Sequence, residues 1–204
     1  LDQVVVPEIK DDDLDDVPAT GVRVHELPRY PQLPWLRNND SEQLRKCTQA
    51  YLACTTFVDA QVGRVIEALN QSPHRDNTIV VLFSDHGYHL GEKARWSKFS
   101  LWERTTHVPF IISVPGGVTG RSAKPVELLS IYPTLIDLCG LPPNGRLEGV
   151  SLRPLLESPD APWEHVAIST LGQGNHAIRN ERWRYIQYAD GSEELYDHHA
   201  DANE

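Results

Sequence analysis

The chain has 204 residues, 40% hydrophobic and 24% charged, the proportions of a globular protein rather than a disordered one. With 19 Lys and Arg against 29 Asp and Glu, a net charge of −10, it offers no basic stripe for nucleic acid and no polybasic segment for anionic lipid. No stretch reaches the run of about 20 apolar residues that a membrane span needs, and residues 1–20 lack the basic start and apolar middle of a signal peptide. The first residues read like the interior of a protein and the chain has no Met, so an N-terminal portion of a larger polypeptide is expected to precede them. Cys47, Cys54 and Cys139 stand at none of the spacings of a zinc site or redox pair and are expected to be buried free thiols.

Residues 1–40 are rich in Pro and Asp, include KDDDLDDVP and hold no sustained period, which predicts an irregular segment wrapped over the main domain. The acidic run lacks the alternating ligands, central Gly and closing Glu of an EF-hand loop and is expected to be a solvated charge run. From Asp40 the pattern changes. Leu44, Cys47, Tyr51, Cys54, Val58, Val62, Val65 and Leu69 recur at three- and four-residue steps, predicting a helix with one buried face. Asp40 with Gln43 makes a capping box at its start, and NQSPHRDN ends it.

TIVVLF at 78–83 is short, β-branched and continuously apolar, which predicts a strand covered on both faces in a parallel or mixed sheet. VPFIISV at 108–114 predicts a second strand, and VELLSIYPTLIDLCG at 126–140 a helix capped by Gly140. Strand, crossover, strand and helix point to an α/β fold with a mixed sheet between helices and ligands at the strands' C-terminal ends. Residues 41–158 are assigned to that layer. The texture then turns to short strand-like pieces, with Asp190-Gly191 as a hairpin signal, so 159–204 is read as a small antiparallel subdomain.

The chemistry concentrates in SDHGYHLGEKARWSKFS at 84–100. A carboxylate just beyond an apolar strand costs free energy unless a cation or donors meet it, which makes Asp85 a candidate metal ligand. His86 offers an imidazole on the same rim, and Gly87 lets the backbone turn sharply. Lys98 is a point charge on a long stem that can reach an anion held by the metal, so metal and lysine together argue for an oxyanion ester as substrate. On these residues alone the other reading stays open, in which Asp85 caps a turn, His86 is a rim histidine and Lys98 is solvated. His107, which precedes a strand and has no charged partner within THVPF, is read as structural.

The longer stretch SDHGYHLGEKARWSKFSLWERTTHVPFIISVPG resembles, nearly position for position, a signature region of the sulfatase family of the alkaline phosphatase superfamily, especially its iduronate-2-sulfatase-like branch. AYLACTTFVDAQVGRVIEAL upstream, and VELLSIYPTLIDLCGLP, LEGVSLRPLL and NHAIRNERWRYIQYADGSEELYD downstream, extend the resemblance over nearly all of the chain from residue 46 onward. It implies that Asp85 and His86 are calcium ligands, with His86 also in the catalytic centre, and that Lys98 contacts the sulfate of the substrate. Tyr88 and Leu90 match places lining the substrate pocket, and Phe99 stands where the iduronate enzyme has a tyrosine. His176 and Arg179 in GNHAIRNERWRY are implied as substrate contacts. The family fold implies a large mixed sheet between helices and a smaller antiparallel sheet closing one side of the pocket.

The family's nucleophile is a formylglycine made from Cys or Ser in a Cys/Ser-x-Pro/Ala-x-Arg motif. CTQAY, CTTFV and CGLPP do not fit it, and SVPGG lacks the Arg. The resemblance therefore implies the C-terminal portion of a sulfatase, inactive by itself, whose partners are the N-terminal half of the same protein and a sulfated carbohydrate. It also implies a periplasmic or secreted parent if bacterial and a lysosomal one if animal. The competing readings are a zinc- or manganese-dependent phosphodiesterase or phosphomutase of the same superfamily, and a non-catalytic remnant domain.

Overall fold

In the computed structural model, which describes residues 3–25 and 40–200, the N-terminal segment runs irregularly to a short helix α1 (Ala19–His25). The rest of the predicted wrapping segment, 26–39, lies outside the described residues. Helix α2 (Ser41–Asn70) starts where the sequence predicts, with the Asp40 carboxylate accepting the Gln43 N–H at 2.8 Å. The box is only half made, because the Gln43 side chain turns to Cys47 Sγ at 3.8 Å.

The predicted buried face of α2 is a correction. Only Leu44 and Thr48 are buried, whereas Tyr51, Val58 and Val65 are 38%, 56% and 68% exposed. Periodicity marks which face is apolar, but burial needs a second element against it, and no described element covers the middle of α2. The thiols follow suit: Cys54 and Cys139 are exposed and Cys47 is half-buried, not the buried set expected.

Strands β1 (Val80–Phe83) and β2 (Phe110–Ser113) pair antiparallel, Val80 opposite Ser113 and Phe83 opposite Phe110. The parallel or mixed sheet expected from their apolar runs is absent among the described residues. A parallel pair needs a crossover that returns the chain to the end where it began. Here residues 84–109 stay at one end, carrying the site loop and α3 (Glu103–Thr106), so β2 re-enters in the opposite sense. Leu82, Phe83 and Ile111 remain 38%, 48% and 56% exposed, so neither face is fully covered.

Helix α4 (Ile131–Leu138), shorter than the predicted segment because 128–130 form a 3-10 turn, ends as expected. Gly140, at φ 62°, allows Leu141 N–H to reach Ile136 O at 3.0 Å and Gly140 N–H to reach Asp137 O at 3.2 Å, a Schellman cap. After α5 (Arg153–Glu157), strands β3 (Ala167–Thr170), β4 (His176–Arg179), β5 (Trp183–Gln187) and β6 (Glu193–Asp197) form an antiparallel sheet in chain order. The Asp190-Gly191 signal becomes a loop closed by Tyr188 and Ser192, with Gly191 at φ 86°.

The core lies between α1, the Leu101-Trp102 pair and one face of this sheet, where Val17, Ala177, Ile186 and Tyr188 pack with those two residues. Alternation along β5 sends Arg184 and Ile186 inward. Glu194 of β6 is also inward, its carboxylate accepting from Trp102 Nε1 at 2.9 Å and from the Tyr188 and Tyr196 hydroxyls. The sheet is thereby tied to the segment that follows the site loop. No described helix is long and apolar enough to cross a membrane.

Candidate anion and metal site

Residues 84–98 form an irregular loop folded onto α3. Gly87 donates its N–H to Thr105 O at 2.9 Å, and a Cβ on Gly87 would fall 2.0 Å from Arg104 O. Only a glycine permits that approach, and it fixes the turn that presents Asp85 and His86. Ser84 Oγ donates to His86 O at 2.8 Å, tightening the same turn.

His86 Nδ1 lies 2.8 Å from Gly87 O, which can only accept, so the neutral ring donates from Nδ1 and carries its lone pair on Nε2. Lys98 Nζ stands 2.9 Å from that Nε2, and Asp85 Oδ2 is 3.7 Å from it. The structure thus brings Asp85, His86 and Lys98 to one point. The Asp85 side chain is 82% exposed, open to a ligand. The Nε2 lone pair, which here accepts from Lys98, and the open Asp85 carboxylate are donors that a divalent cation could take in exchange for the ammonium, and the ammonium suits an anion. No group of three or more His, Cys, Asp or Glu side chains able to hold a metal ion occurs among the described residues.

Tyr88 and Leu90 lie on the same loop. The Tyr88 hydroxyl reaches Trp96 O at 3.4 Å and its ring stands 5.5 Å from Tyr51, while Leu90 N–H donates to Glu92 Oε2 at 2.8 Å. Phe99, half exposed, is held at φ 65°, with Lys98 Nζ 5.2 Å from its ring centroid. The described non-glycine residues at positive φ are Lys93 and Ala94 within this loop and Phe99 directly after it. Each such residue costs roughly 1–3 kcal/mol, and such strain persists where surrounding contacts over-determine it.

His176 and Arg179 are set apart by the sheet. They are three residues apart on β4, so their side chains project from opposite faces. His176 is exposed, with Nδ1 2.9 Å from Thr170 Oγ1. Arg179 Nε lies 3.5 Å from Glu103 Oε2 at the start of α3.

Glu103 is a hub the sequence did not reveal. Its carboxylate meets Arg179, the buried Arg184, His198 and, at 2.9 Å, His107 Nδ1. Burial alone would raise its pKa, but the hydrogen bond from His107 and the Arg184 charge hold it well below the usual carboxylate range. His107 therefore has a charged partner after all, one helical turn back, and that contact raises its pKa. A Glu-x-x-x-His spacing was the available signal; the arginines, about 80 residues away, left none.

Two further residues tie the loop down through contacts that leave no sequence signal. Lys93 is buried and paired with Asp13, so the acidic run is not solvated throughout. His89, fully buried, donates its N–H to Ser97 O at 2.9 Å and has Nε2 2.8 Å from Ser100 Oγ, closing the loop from within.

A family model described as Sulfatase matches residues 21–141. A curated protein named Sulfatase from Formosa agariphila is 44% identical over 205 residues, covering 100% of this chain and 40% of its own length. A solved structure described as a 2-O GAG sulfatase superposes with a TM-score of 0.75 at 27% identity, covering 98% of this chain and 46% of that one. The phosphonate monoester hydrolase of Silicibacter pomeroyi superposes with a TM-score of 0.76 at 26% identity, covering 98% of this chain and 45% of that one. The chain spans less than half the length of these relatives.

Proposed function

This chain belongs to the sulfatase family, and from that premise we propose that it supplies part of the calcium and anion site of an enzyme hydrolysing sulfate esters of a sugar or polysaccharide. The observation that carries the reading is the convergence of Asp85, His86 and Lys98 at the tip of β1. Asp85 and His86 Nε2 would hold the cation, which when bound supplies Lewis-acid neutralisation of sulfate oxygens. Lys98 donates to a sulfate oxygen and adds a positive charge as the ester bond to sulfur breaks. The Gly87 carbonyl keeps the His86 lone pair on Nε2.

Calcium takes about 6–8 oxygen ligands, so this reading draws the remaining ligands and the formylglycine nucleophile from outside these 204 residues. The 204 residues by themselves should release no sulfate. Within the proposal the enzyme is iduronate-2-sulfatase-like, with Tyr88, Leu90 and His176 contacting the sugar, while Arg179 faces the other side of β4 against Glu103. It is placed in the periplasm or outside the cell if bacterial, and in the lysosome if animal. The resemblance to a 2-O GAG sulfatase supports a sulfated glycan as substrate.

The test is Asp85→Ala in the intact protein, with bound calcium and sulfate release both measured. Loss of both supports the proposal, whereas unchanged values would favour a non-catalytic domain. A second reading, hydrolysis of phosphonate or phosphate esters, is favoured by the superposition on the Silicibacter hydrolase. Comparing kcat/KM on an aryl sulfate and an aryl phosphonate monoester decides between them.

A further inference from the structure

We infer that Asp13 is a positioning residue for the anion-binding lysine: by fastening the left-handed kink at Lys93 and Ala94, it sets where Lys98 stands. The inference rests on the reading of Lys98 as a sulfate contact.

Asp13 and Lys93 are 80 residues apart, yet they make three contacts. The Asp13 carboxylate accepts the Lys93 backbone N–H at 2.6 Å and lies 3.3 Å from its Nζ, and the Asp13 carbonyl accepts from Nζ at 3.2 Å. Both side chains are nearly shut off from water, at 4% for Lys93 and 9% for Asp13, so the pair is weakly screened. The ammonium also lies 5.0 Å from the centroid of the Tyr196 ring on β6. One lysine thus joins the N-terminal segment, the site loop and the C-terminal sheet.

Lys93 and Ala94 both sit at φ 51°, a conformation that side chains with a Cβ avoid. Two consecutive residues of this kind hold only if something outside the kink fastens them, and the Asp13 carboxylate binds the N–H of the first. The kink points the chain into the stretch Arg95–Lys98, closed at one end by Arg95 N–H on Glu92 O at 3.1 Å and at the other by His89 N–H on Ser97 O at 2.9 Å. Lys98 follows the second closure directly, so a relaxed kink would shift the ammonium away from His86 Nε2. None of the chemistry proposed above uses Asp13 or Lys93, and an acidic residue serving only as solvated charge would not be buried against a lysine.

The experiment compares wild type, Asp13→Ala, Ala94→Gly, Asp13→Ala with Ala94→Gly, and Lys98→Ala in the intact protein. It reads the inhibition constant for inorganic sulfate, the amide exchange of His89 and Arg95, and urea stability. Asp13→Ala should weaken sulfate binding at least fivefold and speed exchange at least tenfold. Ala94→Gly, which adopts positive φ without strain, should restore at least half of each change. Unaltered sulfate binding and exchange in Asp13→Ala, or no recovery on adding Ala94→Gly, overturns the inference, and so does recovery matched by an equal gain in urea stability on adding Ala94→Gly to the wild type. Should Asp13→Ala fail to fold, Asp13→Asn keeps an acceptor for the Lys93 N–H, loses the charge and must show the same two changes in smaller measure. Equal sulfate binding by wild type and Lys98→Ala would defeat the functional reading instead, and the exchange measurements would still decide the role of Asp13.

Discussion

Lys98 Nζ stands 2.9 Å from His86 Nε2, a lysine whose nearest described partner is an imidazole lone pair rather than a carboxylate. Lys98 forms no ion pair with a carboxylate among the described residues, and the proposed function sets a sulfate oxygen against it. A charge-assisted hydrogen bond is worth about 1.5–3 kcal/mol. In the intact protein, Lys98→Ala should therefore lower kcat/KM for a sulfate ester by roughly 10- to 100-fold. Steady-state kinetics on an aryl sulfate checks this, and a change below about threefold would remove Lys98 from the site.

Gly87 is placed by backbone packing. A Cβ 2.0 Å from Arg104 O cannot be relieved by rotating a side chain. Gly87→Ala should cost about 1–3 kcal/mol of stability and move Asp85 and His86 with the turn. Urea unfolding together with calcium content measures both effects.

Glu103 ties α3, which backs the Gly87 turn, to Arg179 on β4 and Arg184 on β5. Removing one partner of such a buried network leaves cations uncompensated and costs about 3 kcal/mol or more. Glu103→Gln should show that loss in urea unfolding. The same substitution should lower the pKa of His107, whose upward shift comes first from its hydrogen bond to Glu103. An NMR titration in which His107 does not move would contradict the assignment.

His25 and His89 lie beside Trp102, with ring centroids 3.9 and 5.9 Å from it, and both are fully buried. Burial first, and then the Arg95 charge, pushes each pKa from 6.5 down to about 3. Between those values the unfolded state binds more protons than the folded state, so stability rises with pH across the window and falls on acidification below about 6.5. Each histidine contributes a slope approaching roughly 1.4 kcal/mol per pH unit once the pH is well inside that window. Urea midpoints at pH 7 and pH 5 measure the loss, and His89→Asn should shrink it by about half. Equal losses in the two proteins would show that His89 is not the group responsible.

Sequence alone determined the features whose causes are local. The Asp40 cap, the Gly140 stop and the Asp190-Gly191 hairpin each rest on residues a few positions apart, where the chain's own geometry couples composition to conformation. Tertiary structure decided whatever depends on what lies opposite. The apolar stripe of α2 was legible, but its exposure was not, because periodicity names a face without naming its cover. The apolar runs of β1 and β2 were legible as strands, while their antiparallel sense followed from where residues 84–109 travel. Asp13 with Lys93 and Glu103 with Arg179 and Arg184 join positions about 80 residues apart, across which no period links one side chain to another. Only the folded chain brings those charges into contact, and burial then makes the contacts strong enough to hold the site loop in place.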